Sequence, residues 1–225
     1  MYIPDNYRTV AAPAKGAIGL MGLSLGKKIF YDTVVMTGYA KFMQAHFAQS
    51  YFIIADTPKC HNIMALEGVT YDEALKRVCV GGQQMRRFLD KIVAPYLTVH
   101  VLNWDDIIEP GYKTNLSFLQ EYYQTNDSFR DACNETVLQF LDIPANKAKY
   151  EARSMTCAQA LARAHYYFIE EMAGVGSFPV TFESPCCWIY PEESDTVALW
   201  RTFDDATLSN LVHTPTSLFM PVCFE

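Results

Sequence analysis

The 225-residue chain lacks any apolar run near the roughly 20 residues that a membrane-spanning helix needs. The longest near its start, Ala17 to Leu25, is short, rich in glycine and flanked by lysines. No small-residue cleavage site of a secretory leader follows it, so the expected location is cytoplasmic, with no membrane partner. No Cys-x-x-Cys pair occurs among the seven cysteines, and Cys186 and Cys187 are adjacent, a poor geometry for a bridge. They read as buried free thiols. Cys60-His61 has no second ligand pair at zinc spacing, so no metal is expected. A Walker-type phosphate loop and a dinucleotide G-x-G-x-x-G are both missing, which leaves no cofactor to expect. Positive charge is scarce: 18 Lys and Arg face 25 Asp and Glu, for a net charge of −7. Binding of nucleic acid over the whole surface is thereby excluded, and any such contact must be local.

What is present is a globular composition, half apolar and 14% aromatic. The length suits one core, and no Pro- or Ser-rich linker divides it, so a single domain over 1–225 is expected, Pro144 to Lys149 being too short a break. Apolar, β-branched runs alternate with amphipathic ones, the pattern of an α/β fold with a mainly parallel sheet. Strands are predicted at Ala17–Leu23, Tyr51–Ala55, Leu97–Leu102, Val180–Phe182 and Cys187–Tyr190. Helices are predicted around 32–48, 71–93, 105–123, 128–142, 155–173 and 194–212. Thr156 with Gln159 forms a capping box, and Gly174 reads as a helix stop.

The first strand runs into Gly22-Leu23-Ser24-Leu25-Gly26. A serine between glycines at the carboxyl end of a strand lies where ligands bind in open α/β sheets. Three readings follow: an N-cap or turn serine, a hydrolase elbow of the G-x-S-x-G type, and an acyl-transfer serine. Only 23 residues precede Ser24, which is early for an elbow, whose serine follows several strands. Helix 155–173 carries Tyr166-Tyr167-Phe168-Ile169-Glu170-Glu171. Tyr167 and Glu171 stand four apart on one face, Tyr166 and Glu170 on another, and spacing alone does not choose between them. Either pair, a carboxylate beside a phenol, suits an ammonium group or a proton transfer. Further on, Cys187-Trp188-Ile189-Tyr190 ends at Pro191, which places Tyr190 at the same sheet edge as Ser24.

The order of these features resembles the cyclodipeptide synthases: a G-L-S-L-G strand end, Asp56-Thr57 closing the second strand, a basic helix, Phe129-Arg130-Asp131-Ala132-Cys133, Tyr-x-x-x-Glu, and Tyr-Pro 19 residues after that Glu. The similarity runs from about Gly16 to past Pro191. It implies a single Rossmann-like domain akin to class I tyrosyl- and tryptophanyl-tRNA synthetases, although no H-I-G-H or K-M-S-K-S run is present. It further implies that Ser24 carries the aminoacyl group taken from the first of two aminoacyl-tRNAs. Tyr167 and Glu171 would handle its amino group, and Tyr190 would assist later steps. The first substrate pocket would be built around Ser24 from Leu20, Gly22 and Ala55. Three residues after the serine, where the better-known subfamily has Asn, stands Lys27, the remaining substrate-binding candidate. A branch lacking that Asn but keeping Tyr-Pro fits Lys27 with Tyr190-Pro191.

On the helix 71–93, Lys76, Arg77, Arg86, Arg87 and Lys91 fall within about 100° either side of Lys76, opposite Ala74, Val78, Met85 and Leu89. Such a stripe is either a solvated face or a phosphate-contacting one; the resemblance implies tRNA binding there. Gly81-Gly82 inside this helix marks a kink or close packing. Two other functions stay open: a serine hydrolase using Ser24 with His213 and Asp195 or Asp204, and a non-catalytic RNA-binding module. His46, His61, His100 and His165 read as structural or exposed.

Overall fold

In the computed structural model, which describes residues 16–107, 110–190 and 217–221, the strands form one sheet. They are β1 (Ile18–Ser24), β2 (Ser50–Ala55), β3 (Val99–Asn103), β4 (Cys186–Tyr190) and β5 (Ser217–Pro221), in the order β3-β2-β1-β4-β5. Every pairing is parallel, with Ser24 opposite Ala55 and Leu20 opposite Trp188. The α/β reading with a parallel sheet therefore holds. Helices α1 (Thr33–His46), α2 (Lys59–Glu67) and α3 (Tyr71–Val93) link the first three strands. A longer return, α4 (Pro110–Thr125), α5 (Asp127–Asp142), α6 (Pro144–Glu151) and α7 (Cys157–Thr181), leads to β4.

Side chains of a strand alternate between faces, so β1 feeds two cores. Met21 and Leu23 pack with Met36 and Tyr39 of α1 and Met85 and Leu89 of α3. Ile18 and Leu20 pack with Leu119 of α4, Phe129 of α5 and Ile169 and Met172 of α7. Burial on both faces is what a parallel sheet requires. By alternation Ser24 shares the α7 side with Leu20. The chain winds outward from β1 to β3 and restarts at β4 on the other side of β1. The carboxyl ends of β1 and β4 thus flank the point where strand order reverses, the crevice in which such sheets bind ligands.

Helix starts follow their capping residues. Asp32 accepts hydrogen bonds from the Val34 and Val35 amides, 2.8 and 3.1 Å, at the head of α1. Thr70 accepts from Glu73 N at the head of α3. The capping box before α7 forms in both directions: Thr156 N donates to Gln159 Oε1 at 2.9 Å, and Gln159 N to Thr156 Oγ1 at 3.2 Å. No described helix is long and apolar enough to cross a membrane.

Four expectations are corrected. The strand predicted at Val180–Phe182 does not form, because α7 continues to Thr181, with Ser177 and Thr181 hydroxyls bonding back to the Gly174 and Ser177 carbonyls. Gly174 is no stop; a Cβ there would collide with the Trp104 ring, so the glycine lets α7 press against that indole. The helix predicted over 105–123 is instead a 3-10 turn at Trp104–Ile107 followed by α4, which opens at Pro110, where a missing N–H costs nothing. Pro144 to Lys149, set aside above as too short a break, lies within α6. Leu97 lies outside β3 and is 88% exposed. α2 and β5 had no counterpart in the sequence reading. Of the two meanings of Gly81-Gly82, packing holds: α3 is continuous, and a Cβ on Gly82 would strike the Asp56 carboxylate. The helix predicted over 194–212, and Pro191, Asp195, Asp204 and His213, lie outside the described residues.

Candidate active site

Ser24 closes β1, and Gly26, two residues on, holds φ +97°, a backbone state open to glycine at little cost. The chain turns there into a 3-10 turn at Lys28–Tyr31, leaving the serine hydroxyl facing α7. Its Oγ lies 3.3 Å from the Tyr167 phenol oxygen, and Tyr167 donates to Glu171 Oε1, also at 3.3 Å. With the phenol proton directed at the carboxylate, the phenol oxygen accepts from Ser24. The result is a file from serine through phenol to carboxylate, its bonds long, as unliganded catalytic contacts often are.

Tyr167 is buried, and burial, followed by the Glu171 charge, pushes its phenol well above the ordinary tyrosine value. It remains a proton donor throughout the neutral range. Tyr190 ends β4, the strand beside β1, with its phenol in hydrogen-bond reach of Ser24 and its ring edge-on to Phe30 at 5.8 Å between ring centres. Burial raises its phenol too, while Lys27 acts against that rise. The Lys27 ammonium sits 5.2 Å from the centre of the Tyr190 ring, in cation–π range. Lys27 thus belongs to the site by way of Tyr190.

These side chains open on a cleft of about 670 Å³ at the carboxyl edge, lined by Ser24, Lys27, Tyr167, Glu171 and Tyr190. Its far wall had no counterpart in the sequence reading: Lys59 and Asn62 of α2, and Asn146 and Lys149 of α6. The only signal for the α2 wall was the series 59, 62, 63, 66 and 67, one helical face, masked because Cys60, His61 and Ala65 on other faces are buried as well. Leu20 and Ala55 are buried on the Ser24 side of the sheet, and Gly22 lies against Trp188; none of the three lines the cleft. No histidine among the described residues lines it either.

Of the two tyrosine–carboxylate pairs, only Tyr167 and Glu171 face the cleft. Tyr166 packs at a tilt against His165, with ring centres 4.1 Å apart. Glu170 Oε1 lies 3.0 Å from His61 Nε2 at the α2 contact, at ion-pair distance though not aligned for a hydrogen bond. Asp56 is structural in its contacts. It accepts from Thr57 N, Trp104 N and Asn103 Nδ2 at 3.1, 3.1 and 2.8 Å, tying the ends of β2 and β3 together.

The cations of α3 divide. Arg77 pairs with Glu67 and Glu73, and Arg86 with Asp106 and the Asn103 side chain. Lys76, Arg87 and Lys91 are exposed and form no ion pair among the described residues.

No family model matches the chain, and no curated protein matches it. Solved structures do. A CDPS from Fluoribacter dumoffii aligns with TM-score 0.76 at 20% identity, over 97% of this chain and 92% of that one. A Mycobacterium tuberculosis protein, described as demonstrating that cyclodipeptide synthetases are related to type I tRNA synthetases, aligns with TM-score 0.72 at 15% identity, over 93% and 87%. A cyclodipeptide synthase from Candidatus Glomeribacter gigasporarum bound to Phe-tRNAPhe aligns with TM-score 0.66 at 16% identity, over 95% and 90%. At these identities the likeness establishes architecture: the chain has the fold of these cyclodipeptide synthases, a Rossmann-like parallel sheet.

Proposed function

We propose that the chain is a tRNA-dependent cyclodipeptide synthase, an aminoacyltransferase that joins the amino acids of two aminoacyl-tRNAs into a 2,5-diketopiperazine. The observation that carries this reading is the file from Ser24 through Tyr167 to Glu171, set in a cleft at the crevice of this fold. Ser24 Oγ attacks the ester carbonyl of the first aminoacyl-tRNA. The acyl–oxygen bond to the terminal ribose breaks, and the serine proton ends on the departing tRNA hydroxyl. The residue is then held as an ester on Ser24, the usual gain of covalent catalysis.

Glu171, with Tyr167 beside it, holds the amino group of that residue. The amine next attacks the ester of the second aminoacyl-tRNA, releasing its tRNA and leaving a dipeptide on Ser24. The free amine of the dipeptide attacks the serine ester, which closes the ring and returns the hydroxyl. Tyr190, in hydrogen-bond reach of Ser24, positions the later steps. An aminoacyl ester is already activated, so the sequence needs no further energy source. The first side chain is received on the side of Leu20, Gly22 and Ala55. Lys27 beside Tyr190 fits the branch without Asn at that position. Lys76, Arg87 and Lys91 supply the tRNA phosphate contacts, in one cytoplasmic domain over 1–225.

The test is mass spectrometry of culture medium from cells making the protein, beside cells making Ser24→Ala. Cyclic dipeptides present in the first and absent in the second support the reading. Soluble, folded wild-type protein that yields none overturns it.

A further inference from the structure

Lys59 begins α2 half-buried, yet it makes neither a hydrogen bond nor an ion pair among the described residues. Burial, followed by repulsion from Lys149, lowers its pKa, and attraction by Glu171 only partly offsets this. A cation kept in such a place lacks the compensation that buried charges usually have. One turn on, Asn62 is 7% exposed and lines the same cleft, its side-chain amide unbonded among the described residues. Lys149 faces both from α6.

The negative groups of the cleft are engaged elsewhere. Glu67, at the far end of the α2 face, pairs with Arg77 outside, and Glu171 accepts a hydrogen bond from Tyr167. Three donors without an acceptor among the described residues thus line the cleft that Ser24 opens on.

We propose that Lys59 and Asn62, with Lys149, form a seat for an oxyanion of the aminoacyl-tRNA, in the same cleft in which Glu171 receives the amine. The seat rests on the proposed function. In such a substrate two sources carry that chemistry: the phosphodiester next to the terminal ribose, and the carboxylate of an acidic aminoacyl side chain. Lys59 supplies charge, Asn62 a directed N–H, and Lys149 neutralises the anion at the rim. A hydrogen bond to a charged group has a net value corresponding to roughly tenfold or more in affinity.

The experiment uses the purified full-length protein with tRNAs charged singly and in pairs, and reads diketopiperazine formation by mass spectrometry. Wild type is compared with Lys59→Met, Lys59→Arg and the rim variant Lys149→Met, whose site is exposed and tolerant. A phosphate source raises KM in Lys59→Met about tenfold whichever amino acid the tRNA carries, with a smaller rise in Lys149→Met. An acidic side-chain source confines the rise to aspartyl- and glutamyl-tRNA. Under either source Lys59→Arg recovers most of the loss, which a defect of folding would not allow. KM values unchanged in both Met variants, or an effect confined to kcat, overturn the seat. Absence of product from the wild type overturns the function beneath it instead.

Discussion

Replacing Tyr167 by phenylalanine removes one oxygen atom, the one that joins Ser24 to Glu171. The ring keeps its packing, including the edge contact with Phe168 at 5.3 Å between centres, so the fold should lose less than about 1 kcal/mol. Catalysis should lose more. The phenol donates to a carboxylate, and a hydrogen bond of that kind has a net value of about 1.5–3 kcal/mol. If it is made in the transition state of acyl transfer, the rate falls roughly ten- to a hundredfold. Single-turnover mixing with one aminoacyl-tRNA, followed by intact-protein mass, reads acylation of Ser24 directly. Tyr166→Phe is the control, since Tyr166 packs against His165 and lies off the cleft. It should acylate within about twofold of wild type. Acylation by Tyr167→Phe within about threefold of wild type, with thermal stability unchanged, would refute the relay and leave Tyr167 a packing residue.

Two further outcomes follow from charge. Lys59 has a folded-state pKa below its ordinary value near 10.5; between the two, the unfolded chain binds more protons than the folded one, so stability rises with pH across that window. The penalty on the charged lysine is complete below the lowered pKa, so Lys59→Met should melt higher than wild type at neutral pH, and the gain should shrink as pH climbs towards 10.5. Equal melting temperatures at both ends would contradict the burial of an uncompensated cation. On α3, Arg87→Ala and Lys91→Ala should each lower the salt slope of tRNA binding by about 1, whereas Arg77→Ala, whose guanidinium already holds Glu67 and Glu73, should leave it unchanged. A slope lowered equally by Arg77→Ala would put that arginine back among the phosphate contacts.

How much of this was legible in sequence depended on whether one element carried the signal. Ser24 was legible because an apolar strand, a turn glycine and the rule of the carboxyl edge all concern a single stretch of chain. By helical spacing alone Tyr167 and Glu171 were one of two pairs, and only the resemblance, through the distance to Tyr190, chose them. A helix buried along much of its surface shows no polar face to count from, and only packing turns Tyr167 towards β1 and Glu170 towards His61. Lys59 and Asn62 were hidden for the same reason. α2 buries Cys60, His61, Asn62, Ala65 and Leu66 between α3 and α7, so its pattern has no helical period to detect. The false strand at Val180–Phe182 arose because β-branched and aromatic residues at the end of α7 read locally as extended. The contact that decides the matter, Trp104 against Gly174, spans 70 residues of sequence.

The glycines show most directly how packing and chemistry divide the labour. Gly174 and Gly82 are required by neighbours: one admits the Trp104 ring, the other the Asp56 carboxylate, and together they set how closely α7 and α3 approach the sheet. Gly26 is required by its backbone, which at φ +97° turns the chain away from Ser24. Gly22 is required by neither. A Cβ built there would stand 3.5 Å from Trp188 Cζ3, an ordinary contact, and its φ is not in the left-handed region. The first glycine of G-L-S-L-G is therefore unexplained by the folded chain alone. The space it leaves lies two residues before Ser24, on the α7 side of the sheet. The Trp188 ring of β4 bounds that space, and the cleft lining begins beyond it at Ser24.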